Sequence, residues 1–230
     1  MKKTRGQTIL ALLALVLTAN AARSADFRAR GNEPGWTIEK TDMGISFRTM
    51  DGKTVAISPL PPGQKVDGGE IYRSTTEGQS FTLSIFDMIC TDTMSGMPHP
   101  ASVLVEWGSG RFTGCGGEPA DLLRGEWVIG EINGRPVLAG PEVSLSFGAD
   151  GQLSGNASCN RYFGSYALTG EGLTISELGS SRMLCEQPAM QQEELFLAAL
   201  RATKRFEIGP DGALSLHGTD GRSVTANRKR

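Results

Sequence analysis

The sequence predicts a mainly β protein made of two small antiparallel domains of β-barrel or β-sandwich type, the second with one α-helix packed on its sheet. Three observations carry this. Thirty of the 230 residues are glycine, nearly double the usual ~7%, which marks many turns and hence many short strands. Apolar and polar residues alternate with period two in several stretches of both halves. A helical period of roughly 3.6 residues is convincing in one segment, late in the second half.

In the first domain, assigned to residues 27–118, Phe81, Leu83 and Ile85 alternate with Thr82 and Ser84. Val103, Val105 and Trp107 repeat the pattern, and Ser109-Gly110 turns the chain into Arg111-Phe112-Thr113. Pro59, Pro61, Pro62 and Gly68-Gly69 interrupt the earlier part too often for a helix. Gly116-Gly117-Glu118-Pro119 reads as a joint, and the second domain is assigned to residues 122–227. It opens with a strand through Trp127, Val128 and Ile129, and Asn133-Gly134 signals a hairpin. Val143, Leu145 and Phe147 alternate before Asp150-Gly151, and Thr169 to Gly172 joins two further strands. The helix starts near Pro188, with Phe196, Leu197, Ala199 and Leu200 inward and Gln191, Gln192 and Glu193 turned to solvent. Strands around 205–208, 213–216 and 223–226 close the domain, and Arg228-Lys229-Arg230 reads as a frayed basic end. Trp36, Trp107 and Trp127 fall at strand or turn positions and are expected in the cores.

Lys2, Lys3 and Arg5 precede the apolar run Ile9 to Leu17, which is far short of the roughly 20 residues of a membrane-spanning helix. With Ala19-Asn20-Ala21 behind it, this reads as a secretory leader, residues 1–21, with the cut placed as late as residue 25. The first cysteine is Cys90, so lipid attachment at a new N-terminal cysteine is excluded, and no later stretch resembles a membrane span. The expected location is periplasmic or secreted. Losing that leader removes three of the 23 basic residues, and the formal charge falls from −2 to −5. An acidic chain is a poor non-specific binder of nucleic acid, which requires clustered Lys and Arg.

Four cysteines allow three connectivities. Pairing within each half, Cys90 with Cys115 and Cys159 with Cys185, closes two short loops worth about 3.5 kcal/mol each in the chain-entropy description. The absence of any C-x-x-C spacing disfavours a zinc site or a thioredoxin-like redox pair.

The run Leu153-Ser154-Gly155-Asn156-Ala157-Ser158-Cys159-Asn160-Arg161-Tyr162-Phe163-Gly164-Ser165-Tyr166 is followed by Leu173-Thr174-Ile175 and Ser181-Arg182-Met183-Leu184-Cys185. In this order and spacing the second half resembles the META domain family of HslJ-like heat-shock proteins. The first half carries Gly31-Asn32-Glu33-Pro34-Gly35-Trp36, Cys90-Thr91-Asp92-Thr93-Met94-Ser95-Gly96 and Gly114-Cys115-Gly116. It resembles an envelope domain found beside META domains and near small lysozyme inhibitors and copper-responsive envelope lipoproteins. The resemblance implies small antiparallel β domains and a role in stress tolerance, with no assigned catalysis.

Asn156, Asn160, Arg161, Tyr162 and Arg182, gathered by Cys159 and Cys185, form a candidate ligand or partner patch. Turn chemistry alone accounts for Gly155 and the asparagines, so local architecture is the favoured reading there. Met94, Met97 and His99 carry soft donors suited to Cu(I), against the simpler reading of a Pro-rich surface loop. His99 and His217 lie near no nucleophile signature, and Glu193-Glu194 reads as a solvated pair. The expectation is therefore a non-enzymatic envelope protein with no cofactor and no resident metal. Its partner would be an envelope protein or a small ligand, and the alternatives are a lysozyme-inhibitor-like module or a copper-responsive protein. Mass spectrometry of the exported protein should show an N-terminus between residues 22 and 26 and no thiol reactive before reduction; retention of residues 1–21 would overturn the leader.

Overall fold

The computed structural model describes residues 27–229; the expected leader lies outside the described residues. The first half supplies β1 (Phe27–Asn32), β2 (Gly35–Lys40), β3 (Ile45–Thr49), β4 (Thr54–Ile57), β5 (Gly63–Val66), β6 (Gly69–Thr76) and β7 (Gln79–Phe86). After the short pair β8 (Cys90–Thr91) and β9 (Pro98–His99) come β10 (Ala101–Trp107) and β11 (Gly110–Gly116). Nine of these strands form one antiparallel, barrel-like sheet in the order β4-β3-β2-β1-β11-β10-β7-β6-β5. Alternation sorts the side chains: along β3, Ile45, Phe47 and Thr49 are buried while Ser46 and Arg48 face out. Phe47 sits at the centre of the core, with Trp36, Phe81, Trp107 and Phe112 around it at centroid distances of 5.2–6.1 Å. Gly31 is glycine because the Trp36 indole lies on its α-carbon, where a β-carbon would meet Nε1 at 2.2 Å.

The second half adds the short helix α1 (Pro119–Leu123), then β12 (Gly125–Ile132), β13 (Arg135–Pro136), β14 (Ser144–Phe147), β15 (Gln152–Asn156), β16 (Arg161–Thr169) and β17 (Gly172–Ser180). The helix α2 (Gln187–Ala202) precedes β18 (Thr203–Ile208), β19 (Leu214–Gly218) and β20 (Ser223–Arg228). The second barrel-like sheet runs β17-β16-β15-β14-β12-β20-β19-β18, with β13 paired to β12. Asn133 and Gly134, with φ of 53° and 71°, form the hairpin turn expected of them between Ile132 and Arg135. Helix α2 lays Phe196, Leu197, Ala199 and Leu200 into the core with Trp127, Leu145, Leu153 and Leu216. That burial gives the helix its place, since an isolated helix of this length is marginal in water.

Three expectations change. The turn between β10 and β11 is Gly108-Ser109, one residue earlier than the sequence suggested, because Trp107 pairs with Gly110 and Gly108 takes the positive φ of 58°. The joint at 116–119 runs directly into α1, with Pro119 as its first residue. A five-residue helix offers too few positions for its period to be read in sequence. Arg228 of the basic end is folded in: it stacks 4.4 Å over the Trp127 ring and donates hydrogen bonds to the carbonyls of Leu122 and Arg124. A guanidinium is well placed on the unpaired carbonyls at the C-terminus of α1.

Candidate functional site

Cys90 is bonded to Cys115 and Cys159 to Cys185, with Cα–Cα distances of 5.4 and 5.9 Å. In the second half the disulfide lies beside a buried polar knot centred on Asn160. Its Oδ1 accepts from Ser181 Oγ (2.7 Å) and the Met183 amide (2.8 Å), and its Nδ2 donates to Glu193 Oε1 (3.2 Å). The Asn160 amide donates to Glu193 Oε2 (2.8 Å). Gln192 is buried as well: it accepts from the Leu138 amide (2.6 Å) and donates to Ser158 Oγ (3.1 Å). Both residues were expected on the solvent side of the helix. The signal was present, since Gln192 and Glu193 stand four residues before Phe196 and Leu197 and so share the buried face.

Of the five patch residues, Asn156, Arg161 and Tyr162 line one groove, while Asn160 and Arg182 do not. Tyr162 belongs to the core, its hydroxyl bonded to the Ser144 carbonyl (2.9 Å), its ring edge-on to Phe196, and its pKa driven up by burial. Asn160 is consumed by the knot. Asn156 and Arg161 face each other across β15 and β16 and rim a groove of about 450 Å³ with Glu126 and Glu142. Arg182 is exposed outside that groove, next to Met183 and to Leu184, which is 92% exposed.

In the first half the organising group is Asp92, 4% exposed. Its Oδ1 accepts from the Met94 amide (3.1 Å), the Ser95 amide (2.8 Å) and Ser95 Oγ (2.8 Å), and its Oδ2 from Asn32 Nδ2 (3.3 Å). Arg30 Nε stands 3.6 Å from Oδ2. Burial pushes the carboxyl pKa up, but the hydrogen bonds from Ser95, Asn32 and Met94 outweigh it and hold the group at about 2. The loop so fixed sends Met94 into solvent, Met97 against the core of the second half, and His99 into a buried position. Among the described residues, no group of three or more His, Cys, Asp or Glu side chains is placed to hold a metal ion.

Met97 and His99 instead line a crevice of about 690 Å³ between the two sheets. One wall is the outer face of β1, β2 and β3, where Arg30, Thr37 and Arg48 stand in one cross-strand row and Arg28, Glu39 and Ser46 in the next. The other wall comes from Pro119 and Ala120 of α1 and from Leu168, Thr169 and Gly170 at the β16–β17 turn. Arg28 is paired with Glu39 at 2.9 Å. His99 Nδ1 lies 2.9 Å from the Gly117 carbonyl oxygen and so carries the ring proton as donor. Its Nε2 is buried with no hydrogen-bond partner among the described residues. No motif marks this crevice, since its walls come from three segments far apart in sequence.

Fold and site together define a two-sheet β protein whose halves are each pinned by one disulfide and share a basic crevice. Residues 120–230 match the META domain family, and the second half of the chain is a META domain of the HslJ-like kind. The heat shock protein HslJ of Escherichia coli (strain K12) is 34% identical over 77 residues, which is 32% of this chain and 53% of HslJ, so the match spans about half of that relative. Among solved structures, a protein from Burkholderia xenovorans is 29% identical with a TM-score of 0.40, over 48% of this chain and 86% of that one. A DUF4847 family protein from Bacteroides vulgatus is 15% identical with a TM-score of 0.35, over 47% of this chain and 96% of that one.

Two predictions follow from these knots. Asn160→Ala removes the partner of the Met183 amide, of Ser181 Oγ and of Glu193 Oε1, and should lower stability by about 2–4 kcal/mol in urea unfolding. Arg182→Ala should stay within about 0.5 kcal/mol. Asp92 has a folded pKa below its ordinary value of 3.8, so its contribution is complete above that value and is lost as pH falls through about 2. That contribution is roughly 2 kcal/mol. Asp92→Asn should therefore lower stability at pH 7 and flatten its decline between pH 4 and 2; an unchanged acid limb would contradict the assignment.

Proposed function

We propose that the chain is an exported, non-enzymatic binding protein of META/HslJ type, supporting stress tolerance by holding a ligand in the crevice between its two sheets. The observation that carries this is the crevice itself, about 690 Å³, to which both halves contribute walls. That volume lies within the range of small-molecule sites, and apolar walls with a few converging polar groups are their usual lining. Export is supported by the two disulfides, which persist in oxidising compartments. A binding role is supported by the way the acid–base groups are used: Glu193 is tied to Asn160 and His99 Nδ1 to Gly117, neither beside a nucleophile. Binding is favoured over simple structural support because the exposed Arg48 of β3 lines the open crevice and no salt bridge to it is found among the described residues.

Thr169 is exposed on the rim, so Thr169→Trp fills the crevice without entering either core. In a deletion strain challenged with heat and envelope-directed antibiotics, the wild-type gene should restore survival and the Thr169→Trp gene should not. Full rescue by a folded Thr169→Trp protein would sink this reading.

A further inference from the structure

We propose that the crevice binds a phosphate monoester, with the phosphate on the arginine wall and the organic part on the apolar wall. The inference rests on the reading above that the crevice is the functional site. Its first ground is the register of the sheet. Arg30 and Arg48 stand in one row on either side of Thr37, so their α-carbons are about 10 Å apart at the usual strand spacing. Two long side chains at that separation reach one anionic group from both sides, with the Thr37 hydroxyl between them. Guanidinium groups match phosphate oxygens in paired, charge-assisted hydrogen bonds.

Charge on the wall is only partly spent. Arg28 is matched by Glu39, and Arg30 stands 3.6 Å from an Asp92 oxygen that Asn32 already serves. Arg48 is exposed, and no salt bridge to it is found among the described residues. Three arginines against Glu39 and Glu118 leave the crevice with a net positive lining on a chain that is acidic as a whole.

The second ground selects a phosphate monoester over a carboxylate or a sulfate. His99 is 8% exposed and lines the crevice, and its Nε2 is buried with no partner among the described residues. With Nδ1–H committed to Gly117, the neutral ring leaves that nitrogen as an acceptor, and an acceptor unpaired in a buried place is costly. A phosphate monoester, whose second ionisation lies near pH ~6, is mostly dianionic at neutrality but keeps a minority monoanion whose P–OH the site can select as a donor. Carboxylates and sulfate esters are fully ionised there and offer none. One group thus meets both demands, its oxygens accepting from Arg48 and Arg30 and its hydroxyl donating to His99. Beyond the phosphate, Leu168, Pro119 and Met97 offer apolar surface to a carbon skeleton, which comes from a soluble organic phosphate or from a lipid headgroup.

Calorimetry on the mature full chain separates these sources with glycerol phosphate and octyl phosphate, using octyl sulfate and octyl glucoside as controls. At least one phosphate monoester should bind one-to-one, and the tighter of the two names the source. Arg48→Glu should weaken that binding at least tenfold with an unchanged melting temperature, because the side chain is exposed and holds no internal partner. In a ¹⁵N-histidine spectrum the His99 Nε2 resonance should shift on binding, a response that a merely structural ring would not give. The proposal is overturned if neither phosphate binds, if octyl sulfate or octyl glucoside binds as tightly, or if Arg48→Glu binds like the wild type. Should Thr169→Trp abolish protection in cells while neither phosphate binds, the ligand class is wrong and the crevice keeps its role.

Discussion

The buried Asp92 carboxylate is the constraint on which the arrangement of the two halves depends. Without it, residues 90–99 would be a loop rich in turn formers, with two methionines and no reason to hold any of them still. Four hydrogen bonds to its oxygens gather Met94, Ser95 and Asn32 around one point. The Cys90–Cys115 bond ties the start of the loop to β11. The far end has few conformations left, so Met97 meets the second core and His99 reaches the Gly117 carbonyl at small further cost in entropy. A charged group serves well here because its hydrogen bonds are stronger than neutral ones, and their sum exceeds the cost of burying it.

The second half repeats the principle with a neutral centre. Asn160 gathers Ser181, Met183 and Glu193 beside Cys159–Cys185 and so fastens the β15–β16 turn and the 181–185 loop to α2. Each half thus joins a disulfide to a buried polar side chain that satisfies the backbone of an irregular segment. The division of labour is physical. The covalent bond limits the unfolded chain, while the polar centre selects one folded arrangement of the loop. It also explains the fate of the predicted patch: Asn160 and Tyr162 are spent on holding the fold, and what remains exposed is Arg161, which lines the groove, and Arg182, which does not.

Legibility in the sequence followed the range of the interaction. Period-two alternation at Phe81–Ile85 and Val103–Trp107 and the Asn133-Gly134 turn are local, and they translate directly into β7, β10 and the β12–β13 hairpin. The second-half motif was specific enough to identify a META domain before any coordinates. Burial of Gln192 and Glu193 was misjudged because residue type was weighed above position, though their spacing to Phe196 and Leu197 placed them inward. The two motifs of the first half meet in space through the Asn32–Asp92 bond, a pairing 60 residues apart that no periodicity encodes. The crevice was invisible for the same reason, since Arg30 and Arg48, His99, and Leu168 share no local pattern.

That geometry bears on how far the HslJ likeness reaches. The family match begins at residue 120, whereas Arg30, Arg48, Met97 and His99 all precede it. A META domain by itself supplies only the apolar wall, from α1 and the β16–β17 turn, and a wall without its charged counterpart has no handle on an anion. The first half supplies that charge on the outer face of a sheet whose inner face is already filled by Phe47 and Trp36. A sheet with a packed interior can present recognition residues only outward, and a second body beside that face converts a flat basic surface into a concave one. Concavity matters because a ligand seated there would displace water from the exposed guanidinium groups and strengthen each contact they make. The same Met97 contact that joins the halves therefore also forms the crevice, which His99 lines from its bond to Gly117.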